Sequence, residues 1–480
     1  MFPVKRLRGQ YETPIHTVSY MIKRVMDFVD FKQDNLRVLD PAVGDGVFVS
    51  ELIRQGCPPA SIHAYDIDPN MTPQIEGVQF KHADFLKEKN GNFDVIIGNP
   101  PYKSKRQSDY IKKNQHYLET LFNPIGIQNM YSMFVFHALQ QLKPNGVLCM
   151  IVQDSFLTNV YYKKFRQYLI NEVNIEEITL APRKLFHRTK ADVRSAILVL
   201  TKKEPSSPAK LVDRLRNENY ADVSENKVQY LDQNKFFDLP RYNFAINVPE
   251  ELFRLFSPST KRLEHVVDGG AGISTGNDKL FLRQLSELPK DERSDWIPFY
   301  KSGGLKDGWF YQPTVYIHKD WEKQAEEHKN FLVRNKQFYY REGITCSSMG
   351  VPFSAAYLPK GALFGVNTNL FVDGEEKLYY ILGYLNSNLA KYLLRKILNR
   401  TNMVTTGYVK QLPYLEGDAG KKSEVANLAR NIVQSKKENI FFDSAPLEKQ
   451  INQHIYAIYG VSEEAQASIE EFCGDMFELL

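Results

Sequence analysis

The stretch "RVLDPAVGDGVFVSELIRQG", Arg37 to Gly56, reads as a strand, a turn and a helix in immediate succession. Val38-Leu39 is apolar, Asp40 ends the run, and Pro41 stops the strand from continuing. Gly44 and Gly46 give a turn in which the backbone can come close to a ligand. The turn is neither GxGxxG nor GxxxxGK[ST], and it has no lysine for a triphosphate. A nucleotide kinase or ATPase is therefore disfavoured.

Working outward, the same alternation continues. Upstream, Ile15, Val18, Met21, Ile22, Val25, Met26 and Val29 recur at helical spacing, with Thr13-Pro14 reading as an N-cap and a first-turn proline. Downstream, "SIHAYDIDP", "VQFKHADFL" and "FDVIIGNPPY" are strands, Met130 to Leu142 is a helix, and "GVLCMIVQDSFL" is a buried strand. "FRQYLINE" is helical, "IEEITLA" is a strand, and "RSAILVLTK" is the last strand. Strands alternating with helices define an α/β domain with a mostly parallel sheet, placed at 1–205. "TKKEPSSPAK", Thr201 to Lys210, is a polar boundary. Residues 206–415 form a second, mixed α+β domain, rich in glycine and aromatics between 240 and 415. Residues 416–480 are expected to form a helical end packed on it, with two helices joined at Gly460 and Ser462 capping the second.

Composition narrows the class. The chain has 480 residues, too many for one ordinary domain. It is 43% apolar and 25% charged, which excludes general disorder. Its start has no apolar leader core, and no apolar run is long enough to cross a membrane. The four cysteines form no CxxC pair, so neither a disulfide framework nor a zinc site is expected. A reducing, cytosolic setting fits these features. Net charge is +4, but 416–480 holds 12 acidic and 6 basic residues, leaving the rest at +10.

In such a sheet, ligands sit beyond the carboxyl ends of the strands. Asp40, Asp66, Asp84 and Asn99 fall at four such ends. Asp66 can accept both hydroxyls of a ribose, a role that also suits NAD. Asp84 can accept from an exocyclic amine, and Phe85 can stack on a base. Asn99-Pro100-Pro101-Tyr102 adds an amide and a ring on a backbone stiffened by two prolines. The run "KSKRQSDYIKKNQH", Lys103 to His116, follows at once with five basic residues and one acid. A charge run is ordinarily a solvated face, but its position directly after this turn weighs against that reading.

Thr13-Pro14, "VLDPAVGDG", "YDID", "ADF", "NPPY" and "LFHRTKADVRSAILVL" occur in the order found in the gamma-class adenine-N6 DNA methyltransferases. The chain resembles the TaqI-like branch, strongly over the first 200 residues. The likeness is looser over "YKSGGLKDGWF" and "ILGYLNSNLAKYLL". The resemblance implies a Rossmann-like methyltransferase domain followed by a DNA-recognition domain, and S-adenosyl-L-methionine as cofactor. It implies that Thr13 holds the methionine carboxylate, Asp66 the ribose, and Asp84 with Phe85 the adenine. Asp40, Ala42, Gly44, Ile67, Asn99 and Pro101 complete that set. Tyr102 and Phe186 are implied to stack on opposite sides of a flipped-out adenine. Phe134 matches a third pocket aromatic but also fits plain helix core.

The chemistry is consistent. The N6 lone pair of adenine is delocalised into the ring, so the amine is a poor nucleophile. If its two N–H groups donate to the Asn99 amide oxygen and the Pro100 carbonyl, the nitrogen becomes more tetrahedral. Fixed dipoles then stabilise the charge that develops on it. The target lies inside a duplex, so it must be flipped out. Lys103, Lys105, Arg106, Lys112 and Lys113 are expected at DNA phosphates. Lys306, Trp309 and Arg400 are expected at DNA in the recognition domain, with "SSMGVPFSAA" and "NRTNMVTTGY" as candidate reading loops.

The expected partner is double-stranded DNA, in a bacterial or archaeal cytoplasm, beside a separate restriction endonuclease or without one. An RNA or protein-glutamine methyltransferase shares Asn-Pro-Pro-Tyr but gives no reason for the large C-terminal part. A fused nuclease is not expected, because the chain starts almost at Thr13-Pro14. A non-enzymatic DNA-binding subunit has no need of Asn99, Pro100 and Tyr102.

Overall fold

The computed structural model describes residues 12–71, 75–89, 91–183, 185–186, 193–217, 220, 228–301, 303, 308–350, 352–401 and 403–476. The chain divides into two compact units, Met1–Val248 and Pro249–Phe477.

The first unit is built on one sheet. Its strands are β1 (Val38–Asp40), β2 (Ile62–Asp66), β3 (Gln79–His82), β4 (Phe93–Gly98), β5 (Leu142–Gln153), β6 (Asn174–Leu180), β7 (Ser195–Thr201), β8 (Ala209–Val212) and β9 (Val228–Leu231). Their order is β3-β2-β1-β4-β5-β7-β6-β8-β9. The β3-to-β5 half is parallel throughout. β7 runs antiparallel between β5 and β6. The central strands are apolar without alternation: Val95, Ile96 and Ile97 are buried, as are Val147 to Val152. That is the pattern of strands covered on both faces. Helix α1 (Ile15–Met26) buries Val18, Met21, Ile22 and Val25 and packs on β5. Helix α2 (Val47–Arg54) packs beside it.

"RSAILVLTK" is not the last strand. β8 pairs with β6 in parallel, and β9 closes on β8. The first unit therefore runs on to Val248, beyond the boundary expected at 205. The reason is chemical. Arg214, just after β8, is fully buried and pairs with Asp154 at the end of β5. Its guanidinium also donates to the Ser195 carbonyl at 3.0 Å, tying the segment to the sheet centre.

The second unit holds two small sheets, ordered β10-β17-β14-β15 and β11-β13-β12-β16. The strands are β10 (Asp268–Gly269), β11 (Leu282–Gln284), β12 (Trp296–Tyr300), β13 (Val315–His318), β14 (Gly343–Cys346), β15 (Ala355–Leu358), β16 (Leu363–Phe364) and β17 (Thr368–Phe371). Phe299, Ile317, Trp321, Phe364 and Phe371 share one core. Helices over Glu375–Asn386, Ala419–Glu438, Ala445–Tyr459 and Glu463–Gly474 pack in the same unit. Gly460 ends the third in the left-handed conformation, and the Ser462 hydroxyl caps the fourth at Ala465 N–H. Among the described residues no helix is long and apolar enough to cross a membrane.

Candidate active site

β1 and β4 are neighbours in register, with Val38 opposite Val95 and Leu39 opposite Ile96. The chain turns one way from β1 to β2 and the other way to reach β5 across β4. That is a switch point in strand order, where a crevice opens beyond the strand ends. A cavity of about 910 Å³ lies there. Thr13, Ala42, Gly44, Asp66, Ile67, Asp84, Phe85, Asn99, Pro101, Lys103 and Phe186 all contribute to its wall. Residues from six separate stretches of sequence thus meet at one place.

Asp66 is buried at the end of β2. Its carboxylate accepts from Gly44 N–H at 3.0 Å and Asp68 N–H at 2.8 Å. The two backbone donors fix its orientation at the cavity wall. Gly44 has φ +51°, which a side chain would strain. Ile67 is 55% exposed and adds apolar surface to the same wall. Phe85 and Phe134 meet with ring centroids 5.3 Å apart, and both reach the cavity.

Asp84 has company that its sequence context did not reveal. It accepts from the Tyr110 hydroxyl at 2.8 Å, and the Lys87 ammonium lies 3.3 Å away. Burial and the Asp84 charge both push the Tyr110 phenol well above its ordinary pKa, so it stays a donor. Tyr110 belongs to a short helix, Asp109–Lys113, inside the basic run. Lys103, Gln107, Ser108, Asp109 and Tyr110 line the cavity, so this run forms one of its walls. Lys105 pairs with Glu119 at 3.2 Å and Lys112 with Asp109 at 3.4 Å. Arg106 and Lys113 are exposed. Exposed pairs of this kind are worth about 0–1 kcal/mol, so they do not prevent contact with a polyanion.

Asn99 follows β4 directly. Its amide nitrogen donates to the Thr13 hydroxyl at 3.0 Å. Thr13 is not the helix cap expected from Thr13-Pro14. Pro14 occupies the cap position, and Thr17 and Val18 N–H both bond the Pro14 carbonyl. Because proline fixes its own φ, it can hold the helix entry with no help from the preceding side chain, and the Thr13 hydroxyl goes to Asn99 instead.

Asp40 does not reach the cavity wall as expected. It is fully buried, and it accepts from Ala42 N–H at 3.2 Å. Burial pushes its carboxyl up to about 7, opposed by the Ala42 bond and reinforced by the Asp66 charge. A Cβ at Gly98 would lie 2.8 Å from its Oδ1. Asp40 therefore braces the turn from beneath, against the start of Asn-Pro-Pro-Tyr.

Pro100 and Tyr102 are also behind the wall. Tyr102 is 5% exposed, and its hydroxyl donates to the Ile151 carbonyl at 2.9 Å. Its ring meets Phe186 edge to face, centroids 6.2 Å apart at 68°. The two rings thus touch each other here instead of facing across a gap.

Two recognition-domain expectations differ from the structure. Trp309 is 1% exposed, with its indole N–H donating to Glu448 at 2.8 Å. Its backbone bonds Ala355 and Tyr357, and Gly308 at φ +63° permits the close approach. Arg400 is wholly buried. Neither side chain presents itself to a ligand at the surface. Lys306 lies outside the described residues, as do Lys184 and residues 187–192 of the stretch around Phe186.

The parallel sheet with its reversed β7, and a polar cavity at the switch point, define a Rossmann-like methyltransferase fold. Residues 51–186 match the family described as Eco57I restriction-modification methylase. The chain is 23% identical over 391 residues to the adenine-specific methyltransferase PglX of Lacticaseibacillus casei, covering 74% of this chain and 32% of the relative. It is 24% identical over 311 residues to the type II methyltransferase M.HindII of Haemophilus influenzae, covering 59% and 56%. The chain thus spans from about a third to just over half of these relatives. Among solved structures, the type IIL restriction-modification enzyme MmeI in complex with DNA superposes with a TM-score of 0.60 at 10% identity, covering 97% of this chain and 75% of that one.

Proposed function

We propose that this chain transfers a methyl group from S-adenosyl-L-methionine to N6 of an adenine flipped out of double-stranded DNA. The observation that carries the reading is Asn99, held by Thr13 in the wall of a cavity that also contains Asp66, Asp84 and Phe186. The cavity size suits a ligand of cofactor dimensions. Its donor set suits this cofactor: acceptors at Asp66 for a ribose and at Asp84 for an exocyclic amine, with Ile67 and Phe85 for a flat ring. When bound, the cofactor supplies an electrophilic methyl on a sulfonium.

Everything else falls to the protein. The Asn99 amide oxygen and the Pro100 carbonyl accept from the two N6–H groups. They favour a more tetrahedral nitrogen whose lone pair is withdrawn from conjugation with the ring, and they stabilise the positive charge that builds on it. The diproline turn stiffens the backbone that carries both acceptors, and the Pro100 carbonyl, behind the wall with Tyr102, is reached as the site opens. No base of raised pKa is needed beforehand, because the proton leaves a cationic nitrogen. Tyr102 and Phe186 part to admit the base, and Tyr102 then stacks on it. Arg106 and Lys113, with Lys105 and Lys112 released from their surface pairs, meet phosphates.

The names of the relatives, adenine-specific and type II methyltransferases, support the choice of adenine and DNA. We place target reading in the second unit and propose that the chain works beside a restriction activity. The test is transfer of a labelled methyl group to duplex DNA, followed by nucleoside analysis. N6-methyladenine is expected. Label in N4-methylcytosine, RNA or protein and none in adenine would overturn the reading.

A further inference from the structure

We infer that Val160 and Tyr161 form an apolar wedge that enters the DNA duplex and fills the place a flipped adenine leaves in the stack. The inference rests on the function proposed above and names a DNA contact of the first unit apart from the cavity and the basic run.

β4 and β5 run parallel, with Gly98 opposite Met150. β5 therefore ends, at Gln153, on the edge of the sheet from which Asn99 also leaves. The chain then makes one helical turn over Asp154–Leu157 and another over Val160–Tyr162, before the helix Lys163–Glu172. A row of rings ties the second turn to the target pocket. Tyr162 is buried and stacks on Tyr131, centroids 5.6 Å apart at 22°. Tyr131 meets Tyr102 edge to face at 6.1 Å, and Tyr102 meets Phe186.

The residues just before Tyr162 face solvent. Val160 is 43% exposed and Tyr161 62%. A lone exposed apolar residue is ordinary, but these two are adjacent and stand on a backbone held from beneath. The Asn159 amide oxygen accepts from Tyr161 N–H at 3.0 Å. The fully buried Arg166 guanidinium donates to the Asn159 carbonyl at 2.9 Å and to the Phe156 carbonyl at 2.6 Å. The tip is thus ordered before anything binds, which lowers the entropy cost of binding.

The surroundings fit a polyanion. No acid occurs from Ser155 to Asn171. Lys163 and Lys164 follow the tip and are exposed. Lys163 rests over the Tyr242 ring at 5.3 Å. Unlike Lys105 and Lys112, neither forms an ion pair among the described residues. An apolar tip with such cations beside it suits a duplex: the tip enters the base stack and the lysines meet phosphates. Extruding a base forfeits its stacking. A ring in the gap restores it, a gain of about 5- to 150-fold per base.

The test uses a duplex whose methylation site has been located by sequencing DNA that the full chain has methylated. Tyr161→Ala should lower kcat/KM for methyl transfer by about 5- to 150-fold, with S-adenosylhomocysteine affinity unchanged, while Tyr161→Trp keeps most of the rate. A second readout places 2-aminopurine next to the target adenine, where it brightens if the gap stays empty and stays dim if a ring stacks on it. The wild type and Tyr161→Trp should leave it dim, and Tyr161→Ala should brighten it. Lys163→Gln and Lys164→Gln should each reduce the salt slope of DNA binding by about one. Transfer by Tyr161→Ala at the wild-type rate, a neighbouring base as dim as with the wild type, or a slope unchanged in both lysine variants overturns the inference and leaves the function standing. No transfer to any duplex by the wild type overturns both.

Discussion

Asn99 and Tyr102 sit three residues apart, yet the structure gives them different kinds of neighbours, and this separates the outcomes of changing them. Asn99 offers one amide to the cavity, so Asn99→Ala removes a preorganised acceptor and leaves Asp66 and Asp84 intact. Methyl transfer should fall by roughly 10²–10³, with S-adenosylhomocysteine affinity by calorimetry little changed. Near-normal turnover would refute the role. Asp66→Ala should do the reverse, weakening cofactor binding first, because it removes the acceptor that Gly44 and Asp68 N–H orient. Tyr102→Phe keeps the ring but abandons the bond to the Ile151 carbonyl. That costs stability of about 0.5–1.5 kcal/mol. Tyr102→Ala also loses the stacking face, worth about 1–3 kcal/mol per base. Turnover should therefore run wild type, then Phe, then Ala well below. Equal damage from Phe and Ala would assign the function to the hydroxyl.

At the scale of elements, the strand ends were legible because buried parallel strands read as unbroken apolar runs, and a polar residue at the end of one stands out. Asp66, Asp84 and Asn99 were found that way. What a polar side chain meets across the sheet leaves no local trace. Nothing in "RQSDYIKK" says that Tyr110 bonds Asp84 across 26 positions, and nothing around Thr13 says that its hydroxyl serves Asn99 across 86. Basic and aromatic residues among glycines looked like surface; for Trp309 the glycine instead allows close backbone packing, and the ring is core. Asp40 was legible as a strand-end acid but not as a brace, since its depth depends on Gly98 in the next strand. That depth has a consequence for pH. Its folded pKa of about 7 lies above the ordinary carboxyl value. Between these values the folded state binds more protons than the unfolded one, so stability falls as pH rises through this window and levels off above about 7. A tenfold difference in proton affinity between the two states is worth about 1.4 kcal/mol. Melting temperatures of the wild type should drop between pH 5 and 8, and Asp40→Asn should flatten that slope. An unchanged slope in Asp40→Asn would place the titration elsewhere.

At the scale of the whole molecule, the division at Val248 decides where the chain can be cut. A fragment ending near residue 205 stops before β8. It loses β8 and β9 from the sheet and with them Arg214, the guanidinium paired with Asp154 and bonded to Ser195. Removing one partner of a buried ion pair costs about 3–5 kcal/mol, a large part of the stability of an ordinary domain. It also bares the edge of β6, a ready template for aggregation. Residues 1–248 keep all of this. The longer fragment should melt cooperatively by circular dichroism and bind S-adenosylhomocysteine, while the shorter one should be unfolded or aggregated. If sequence reading lies in the second unit, the 1–248 fragment should also bind duplex DNA without distinguishing the methylation site, mapped by sequencing DNA that the full chain has methylated, from random sequence. Competition between those two duplexes measures this directly. A folded 1–248 fragment that still prefers the mapped site would move recognition into the first unit, to the basic wall between Lys103 and His116.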